Sequence, residues 1–454
     1  MQNKNTELFE NMPVSRAVIS LVIPTIISQL VTVVYNMADT FFIGQIGDPN
    51  QVAAAALSLP LFMLFNGVAN LFGIGGASLI SRSLGVNDRN KATKAAVFSI
   101  WTSAVIAVVY GVVIFALKGV ILPRVGANSE TYTYCTQYVF WTITVGGVPT
   151  VMNMLLAHLV RSEGNSKQAS FGMALGGVMN IILDPVFIFA FKMNVAGAAV
   201  ATMLSNLIAT AYFVVLIANK KDTTISFSPR YYSLKNKIPY EILMVGLPSC
   251  AMNLLAVFSN IVLNTLMAGY CNEAIAGVGI AKKIDMLAFA IATGMSQGVL
   301  PLIGYNYSAK NYKRMMESIK TTFIYSMVIS VAGTVFLLTC AGPLVKAFID
   351  DPLTVQYGQL FQRIICISTP CVSVTMIIIT MFQSVGKKVQ PLCLSLLRKG
   401  GLDIPFMFLM NFIIGVNGIV WATPIADLGA MILSIIVFIP FWKTIKAEQQ
   451  SAKV

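Results

Sequence analysis

Twelve apolar stretches, each long enough to cross a lipid bilayer, constrain the fold of this 454-residue chain. A helix of about 20 apolar residues spans the hydrocarbon core, and lipid offers backbone amides no other partners. Because 56% of the residues are hydrophobic and only 11% are charged, an ordinary soluble domain is excluded. The sequence therefore predicts an all-α integral membrane protein with twelve transmembrane helices. The stretches are 17–43, 52–80, 95–118, 132–160, 168–191, 195–218, 239–268, 274–303, 315–342, 356–382, 390–413 and 416–442.

Positive charge is distributed unevenly over the predicted loops. The chain carries 31 basic and 18 acidic residues, a net charge of +13. When alternate loops are assigned to opposite sides of the bilayer, 21 basic residues fall on one side and four on the other. By the positive-inside rule the basic side, with both termini, is cytoplasmic. The charge therefore predicts a multi-pass protein of the cell membrane and argues against nucleic-acid binding. The basic side includes Lys4, Lys221 and Lys453.

The twelve stretches form two copies of a six-helix unit. Matching residues recur at offsets of 224, 222 and 221 along the chain, which indicates an internal duplication with small gaps. The prediction is an amino-terminal lobe at 1–218, a polar cytoplasmic linker at 219–238 and a carboxy-terminal lobe at 239–454, with the substrate path between the lobes. The aligned pairs are Pro24 with Pro248, Asn36 with Asn260, Gly164 with Gly386, Gln168 with Gln390, Gly197 with Gly418, and Thr202 with Thr423.

Two acids interrupt the apolar stretches of the first copy only. In this alignment Asp39 falls on Leu263, and Asp184 falls on the Pro405/Phe406 position. At about 1.5 Å of rise per residue, both acids reach a similar depth in the outer half of the bilayer. Each buried carboxylate costs several kcal/mol and marks a functional site by default, often one for a transported ion. Burial and mutual repulsion favour binding of a proton or another cation there.

Polar neighbours accompany the two acids. Tyr35 lies four residues before Asp39, Asn180 lies four residues before Asp184, and Thr202 reaches the same depth on the next predicted helix. Residues four apart share one helix face, so each acid has a polar group on its own face. These five residues form the predicted cation-coupling set.

The chain resembles the multidrug and toxic compound extrusion (MATE) family. The resemblance covers essentially the whole chain and rests on PTIISQLVTVVYNMADTFFIGQ from Pro24, NIILDPVFIF from Asn180, NVAGAAVAT ending at Thr202, and the loops that begin at Ser81 and Gly304. It implies two six-helix lobes and export of cationic or amphipathic small molecules in exchange for H⁺ or Na⁺. The residues matching the family's amino-terminal coupling site are Tyr35, Asp39, Asn180, Asp184 and Thr202, with Asn153 at a further polar position.

The same resemblance sets the expectations for cofactors and partners. We expect no cofactor and a monomer in the bilayer, with H⁺ or Na⁺ as the driving ion. Na⁺ is the one metal considered, at Asp39, Asp184 and Asn180. The seven cysteines contain no C-x-x-C spacing, which argues against a metal or redox centre.

Acids in the second copy lie close to basic residues in sequence. Asp285, Asp403 and Asp427 have Lys282, Lys283, Arg398 and Lys399 nearby, so we expect internal ion pairs. Some members of the family carry a further acid in span ten, but residues 356–382 contain no Asp or Glu. That departure argues against Na⁺ coupling through this lobe. Asp285 and Met286, with Asn153, are candidates for the substrate cavity.

Three alternatives remain open at this point. Gly294–Gly298 reads G-x-S-x-G and allows an intramembrane serine hydrolase, although that motif requires a strand, a turn and a helix. The Asp88-Arg89 pair after the second stretch resembles part of the G-x-x-x-D-R-x-G-R motif of the major facilitator superfamily, but the rest of that motif is absent. A lipid-linked sugar flippase of the same superfamily is the third alternative, and it requires a strongly charged cavity. The 23 methionines and 27 phenylalanines instead suit adaptable binding of amphipathic cations.

Overall fold

The computed structural model describes residues 7–220 and 222–451, and all regular structure in those two ranges is helical. Lys4, Lys221 and Lys453, three of the residues behind the predicted charge asymmetry, lie outside the described residues. The helices of the first copy are α1 (Val14–Gly44), α2 (Pro49–Gly85), α3 (Arg89–Ala116), α4 (Lys118–Arg124), α5 (Tyr132–Val139), α6 (Gly147–Ser162), α7 (Ser166–Pro185) and α8 (Asn194–Asn219).

The second copy repeats this order after a linker that contains a 3₁₀ turn at Pro229–Tyr231. Its helices are α9 (Ile238–Met267), α10 (Asn272–Ser308), α11 (Tyr312–Thr339), α12 (Ala341–Lys346), α13 (Pro352–Cys366), α14 (Thr369–Ser384), α15 (Val389–Leu396), α16 (Ile404–Ile414) and α17 (Val416–Ser451). Four π-helical segments interrupt or precede these helices, at Glu7–Asn11, Phe140–Val145, Val186–Ala190 and Leu397–Asp403.

Helices cover all twelve predicted stretches, and eleven of the stretches have the length and composition of a membrane span. Among the described residues, nine segments are long and apolar enough to span a membrane, and two bent pairs, α5 with α6 at 48° and α13 with α14 at 44°, each qualify as one further candidate span. The stretch predicted at 390–413 is helical throughout, but the π-helical segment Leu397–Asp403 divides it into α15 and α16. A continuous α-helix was expected there, and the wider π turn replaces it around Arg398, Lys399 and Asp403.

The duplication is visible in the loops that follow α2 and α10. Asn87 and Lys310, offset by 223 residues, both adopt left-handed backbone conformations with φ of 59° and 58°. The next residues, Asp88 and Asn311, both cap the following helix by accepting a hydrogen bond from the third residue of that helix. Equivalent turns with equivalent caps show that the two copies share local geometry as well as hydropathy.

The described residues form two compact units, and α1 and α9 each belong to both. Leu30–Cys250 form one unit, whereas the described residues up to Gln29 and from Ala251 form the other. These units differ from the predicted lobes because the first half of α1 packs with the second copy and the first half of α9 packs with the first. The lobe boundaries at 218 and 239 stay a prediction.

Glycines allow both half-helices to pack this way. A Cβ at Gly298 of α10 would stand 2.9 Å from the Cα of Val22, and a Cβ at Gly75 of α2 would overlap the carbonyl oxygen of Ile242. Gly75 and Gly298 are themselves related by the offset of 223. Such close approach of two helix backbones requires a residue without a side chain.

Candidate ion-coupling site

Helices α1 and α7 meet at a glycine within the unit Leu30–Cys250. A Cβ at Gly177 of α7 would stand 2.7 Å from Val31 Cγ1 and 3.0 Å from Tyr35 Cδ1 of α1. Asn180 and Asp184 lie one and two turns after Gly177 on α7. Asp39 lies one turn after Tyr35 on α1. Because both helices are predicted to run outward from the cytoplasm, the close contact places the two acid-bearing segments side by side.

Asn180 links α7 to α8. Its Nδ2 donates to Asp184 Oδ1 at 3.3 Å and to Thr202 Oγ1 at 3.4 Å. Asn180 is 1% exposed and Asp184 is fully buried. The structure thus brings together the predicted residues of α7 and α8, with Tyr35 in contact with α7 at the preceding turn.

The hydrogen-bonded network continues from Thr202 toward α6. Asn206 Nδ2 donates to the carbonyl oxygen of Thr202 at 2.9 Å, and Asn153 Nδ2 donates to Asn206 Oδ1 at 2.9 Å. Asn153, predicted as part of a substrate cavity, is buried and belongs to this network. Asn206 was not singled out from the sequence, although its position four residues after Thr202 places it on the same helix face.

Several acceptor oxygens of this site have no donor. Asp39 Oδ1, Asp184 Oδ2 and Asn180 Oδ1 are buried and accept no hydrogen bond from the described residues. None of the ion pairs in the described part of the chain includes either acid. Carboxylate and amide oxygens are suitable ligands for a proton or Na⁺ in a transporter. These oxygen ligands therefore fit a monovalent cation.

Tyr138 is a further polar residue at the two acids, and sequence reasoning missed it. It lies on α5, is 6% exposed, and is within electrostatic range of Asp39, Asp184 and Tyr35. The bend between α5 and α6 separates Tyr138 from Asn153 along the chain, so no helical spacing connects it to the predicted set. Its hydroxyl can donate a hydrogen bond to a carboxylate.

The end of α7 changes geometry directly after Asp184. Pro185 is the last residue of α7, and the π-helical segment Val186–Ala190 follows without a break. Proline lacks the backbone donor that would continue the α-helical ladder. Single π turns occur frequently at functional sites, and here one begins two residues after an acid of the site.

Ion pairs were predicted for all three acids of the second copy, and two of the acids form them in the structure. Arg398 Nε donates to Asp427 Oδ1 at 2.8 Å, and Lys399 Nζ lies 3.0 Å from Asp403 Oδ2. Asp285 forms no hydrogen bond or ion pair within the described chain, but it lies in electrostatic range of Lys282, Arg398, Lys399 and Asp427. The three acids therefore form one cluster with three basic residues, and their formal charges cancel. The basic residues are Lys282, Arg398 and Lys399. Met286, the neighbouring candidate for the substrate cavity, is 44% exposed.

The G-x-S-x-G sequence has a packing role in the structure. Ser296 lies inside the continuous helix α10, and its Oγ donates to the Thr293 carbonyl oxygen at 3.0 Å. The flanking Gly294 and Gly298 contact the backbone of α1 at Ile26 and Val22. The strand, turn and helix of a hydrolase nucleophile are not formed here, so the motif is explained by helix packing.

Comparisons with known proteins agree with this architecture. The MatE family model matches residues 24–186 and 248–409, one segment in each copy. The multidrug export protein MepA of Staphylococcus saprophyticus subsp. saprophyticus is 31% identical over 427 residues, which is 94% of both chains. MepA of Staphylococcus aureus strain N315 is 30% identical over 440 residues, 97% of both chains.

Solved structures show the same fold. A crystal structure of MATE in complex with MaL6 superposes with a TM-score of 0.91 at 25% identity, covering 99% of this chain and 100% of that one. The outward-facing conformation of a multidrug resistance MATE family transporter of the MOP superfamily gives a TM-score of 0.89 at 25% identity, with the same coverage.

Fold and site together define a multi-pass membrane protein with the duplicated helical fold of a secondary transporter. The chain belongs to the MatE family.

Proposed function

We propose that this protein is a secondary multidrug exporter that moves cationic or amphipathic compounds out of the cell in exchange for H⁺ or Na⁺, by alternating access. The observation that carries the proposal is the pair Asp39 and Asp184, whose buried oxygens include one each that accepts no hydrogen bond, and which form no ion pair, within the described residues. A buried carboxylate without a fixed cation is completed by an ion that arrives and leaves. The relatives named as multidrug export proteins support the substrate class.

The driving ion binds at Asp39 and Asp184 and is supported by Tyr35, Asn180 and Thr202. Ion binding favours the conformation in which these oxygens are satisfied, and so biases the alternating-access equilibrium. One charge moved through 100 mV contributes about 2.3 kcal/mol, which is enough for a single ion to sustain a useful drug gradient. No cofactor takes part, and the protein works as a monomer.

Asp285 and Met286 contribute to drug binding in the second copy. The exposed Met286 and Phe289 lie one turn apart on α10, and the Arg398 guanidinium stacks over the Phe289 ring at 5.8 Å. Flexible methionine and aromatic surfaces adapt to ligands of different shape. Asp285 offers a negative group one turn from this apolar surface to the amine of a cationic drug.

Efflux from proteoliposomes tests the function and the driving ion together. Vesicles loaded with a fluorescent cationic dye such as ethidium receive an imposed pH gradient or an imposed Na⁺ gradient, one at a time. We expect one of the two gradients to drive dye movement against its concentration gradient, and empty vesicles provide the baseline. Equal dye movement with and without protein under both gradients would overturn the proposal.

The cytoplasmic location of both termini is part of the proposal and has a separate test. Single cysteines at positions within 85–91 and 308–313, the equivalent loops of the two copies, should react with a membrane-impermeant thiol reagent from the cytoplasmic side. Positions 46–50 and 270–272 should react from outside. Labelling of 85–91 from outside would reverse the orientation.

A further inference from the structure

The π-helical segment Leu397–Asp403 changes how the two copies align. Before it, an offset of 222 relates Gly164 to Gly386 and Gln168 to Gln390. A π turn contains one more residue than the α turn that it replaces, so the offset becomes 223 at the end of the segment. Asn180 then corresponds to Asp403. From the sequence alone, no counterpart in the second copy was assigned to Asn180.

Hydrogen bonds support the new correspondence. Ser259 Oγ donates to Asp403 Oδ2 at 2.7 Å, and Thr423 Oγ1 donates to Asp403 Oδ1 at 3.2 Å. Ser259 corresponds to Tyr35 at the offset of 224, and Thr423 corresponds to Thr202 at the offset of 221. In the first copy Thr202 bonds to Asn180 and Tyr35 contacts α7 one turn before it, and in the second copy their counterparts both donate to Asp403.

A lysine completes this second site. Lys399, four residues before Asp403, places its ammonium 3.0 Å from Asp403 Oδ2. Asp403 is 1% exposed, and Lys282 lies within electrostatic range of the same carboxylate. In the first copy no described ion pair reaches the coupling acids. The two sites thus differ in whether the positive charge belongs to the protein.

We propose that the second copy retains a monovalent-cation site formed by Asp403, Ser259 and Thr423, and that the tethered ammonium of Lys399 occupies it. The idea rests on the proposed function, since it takes the first copy as the site of the exchanged cation. Lys399 holds the second site in its cation-bound state throughout the transport cycle. Removal of the ammonium opens the site to the class of cation that the first copy binds, a proton or Na⁺.

Cation-dependent stability of full-length variants tests this inference. In the Asp39→Asn/Asp184→Asn background, which removes the proposed exchangeable site, Lys399→Ala is introduced and Tm is measured in detergent. One series varies NaCl at constant ionic strength with choline chloride, and another varies pH in choline chloride. We expect a saturable rise in Tm of several degrees with Na⁺ or with falling pH, but none with choline, which is too large for the site.

Matched variants separate a site from a general salt effect. Lys387→Ala removes an exposed lysine and should leave the salt and pH dependence unchanged. Adding Thr423→Val should weaken the apparent affinity several-fold or lower the midpoint pH, and adding Asp403→Asn should abolish the response. The same response in the absence of Asp403, or no response to Na⁺ or pH with Lys399→Ala, would overturn the proposal. If Lys399→Ala does not fold, Lys399→Gln retains the packing of the side chain and serves in the same series.

Failure of the proposed function gives a different result. The wild-type chain should also gain Tm with its coupling ion, and Asp39→Asn/Asp184→Asn should lose that gain. Absence of the gain in wild type contradicts the assignment of the first-copy site, whereas the Lys399 series reports only on the second.

Discussion

The two copies place polar clusters at equivalent positions, but among the described residues only the second cluster pairs its acid with a basic side chain. Near Asn180, the acids Asp39 and Asp184 each retain a buried oxygen that accepts no hydrogen bond from any described residue. Around Asp403, hydroxyl groups and the Lys399 ammonium satisfy the carboxylate. Taken together, the two proposals assign an exchangeable cation to the first copy and a permanent one to the second. The first arrangement can respond to an ion gradient, and the second provides a constant structure.

Burial makes this difference energetically large. The Arg398–Asp427 pair lies at 2.8 Å with both side chains 3–4% exposed, and Ser368 donates a further hydrogen bond to Asp427. Separation of a buried pair leaves an uncompensated charge, so the pair resists rearrangement. In the proposed mechanism, the acids of the first copy gain the equivalent compensation when the driving ion binds. Ion binding can therefore shift conformational populations through the first copy.

Neutralisation of the first-copy acids should give the largest effect on transport. Asp39→Asn and Asp184→Asn should each reduce gradient-driven dye efflux at least about tenfold, because each removes a charge that the transported ion completes. Initial efflux rates in proteoliposomes measure the loss. Asp222→Asn, in the exposed linker, removes the same charge and should leave the rate unchanged.

Membrane insertion and folding of these variants should remain intact. Size-exclusion profiles and thermal unfolding in detergent provide the check, since an amide of equal size replaces each carboxylate without creating a cavity. Wild-type efflux by both variants would place ion coupling elsewhere in the chain.

Loss of the Arg398–Asp427 ion pair should give the largest effect on stability. Arg398→Gln leaves Asp427 buried without its cation, and loss of one partner of a buried pair costs about 3–5 kcal/mol. The double variant Arg398→Gln/Asp427→Asn removes both charges and should recover a large part of that loss. Unfolding free energies of wild type, Arg398→Gln, Asp427→Asn and the double variant form a double-mutant cycle, and additive effects would contradict coupling between the two residues.

Asp285→Asn should have a moderate and selective effect. Asp285 has no direct ion pair in the described chain and lies beside the exposed Met286, so its removal should weaken transport of cationic dyes a few-fold while the ion dependence stays as in wild type. Dose-response efflux with several dyes, each measured at varied pH and Na⁺, distinguishes the two properties. A lost ion dependence with unchanged dye preference would assign coupling to the second copy.

Sequence reasoning predicted the first-copy cluster because regular α-helical spacing relates most of its members. Tyr35 and Asp39 are four residues apart, as are Asn180 and Asp184, and that spacing holds in the structure. The bend before α6 concealed Tyr138, and a π turn concealed the relation between Asn180 and Asp403. Neither feature has a clear signature in hydropathy, because a bend or one extra residue leaves the apolar pattern of a span almost unchanged.

The smallest predicted effect compares two equivalent threonines. Thr423 donates a hydrogen bond to the Asp403 carboxylate, whereas Thr202 accepts one from the neutral Asn180 amide at 3.4 Å. Hydrogen bonds to charged groups contribute about 1.5–3 kcal/mol, and neutral ones about 0.5–1.5 kcal/mol. Valine matches threonine in shape, so Thr423→Val should lower the unfolding free energy more than Thr202→Val.

Thr202→Val should instead change the apparent affinity for the driving ion by a few-fold, because Asn180 retains its bond to Asp184 but loses its link to α8. Denaturant unfolding and efflux at varied ion concentration measure the two quantities. Equal effects of both substitutions on stability and on ion affinity would mean that the threonine has the same role in both copies. That result would contradict the proposed difference between an exchangeable cation in the first copy and a permanent one in the second.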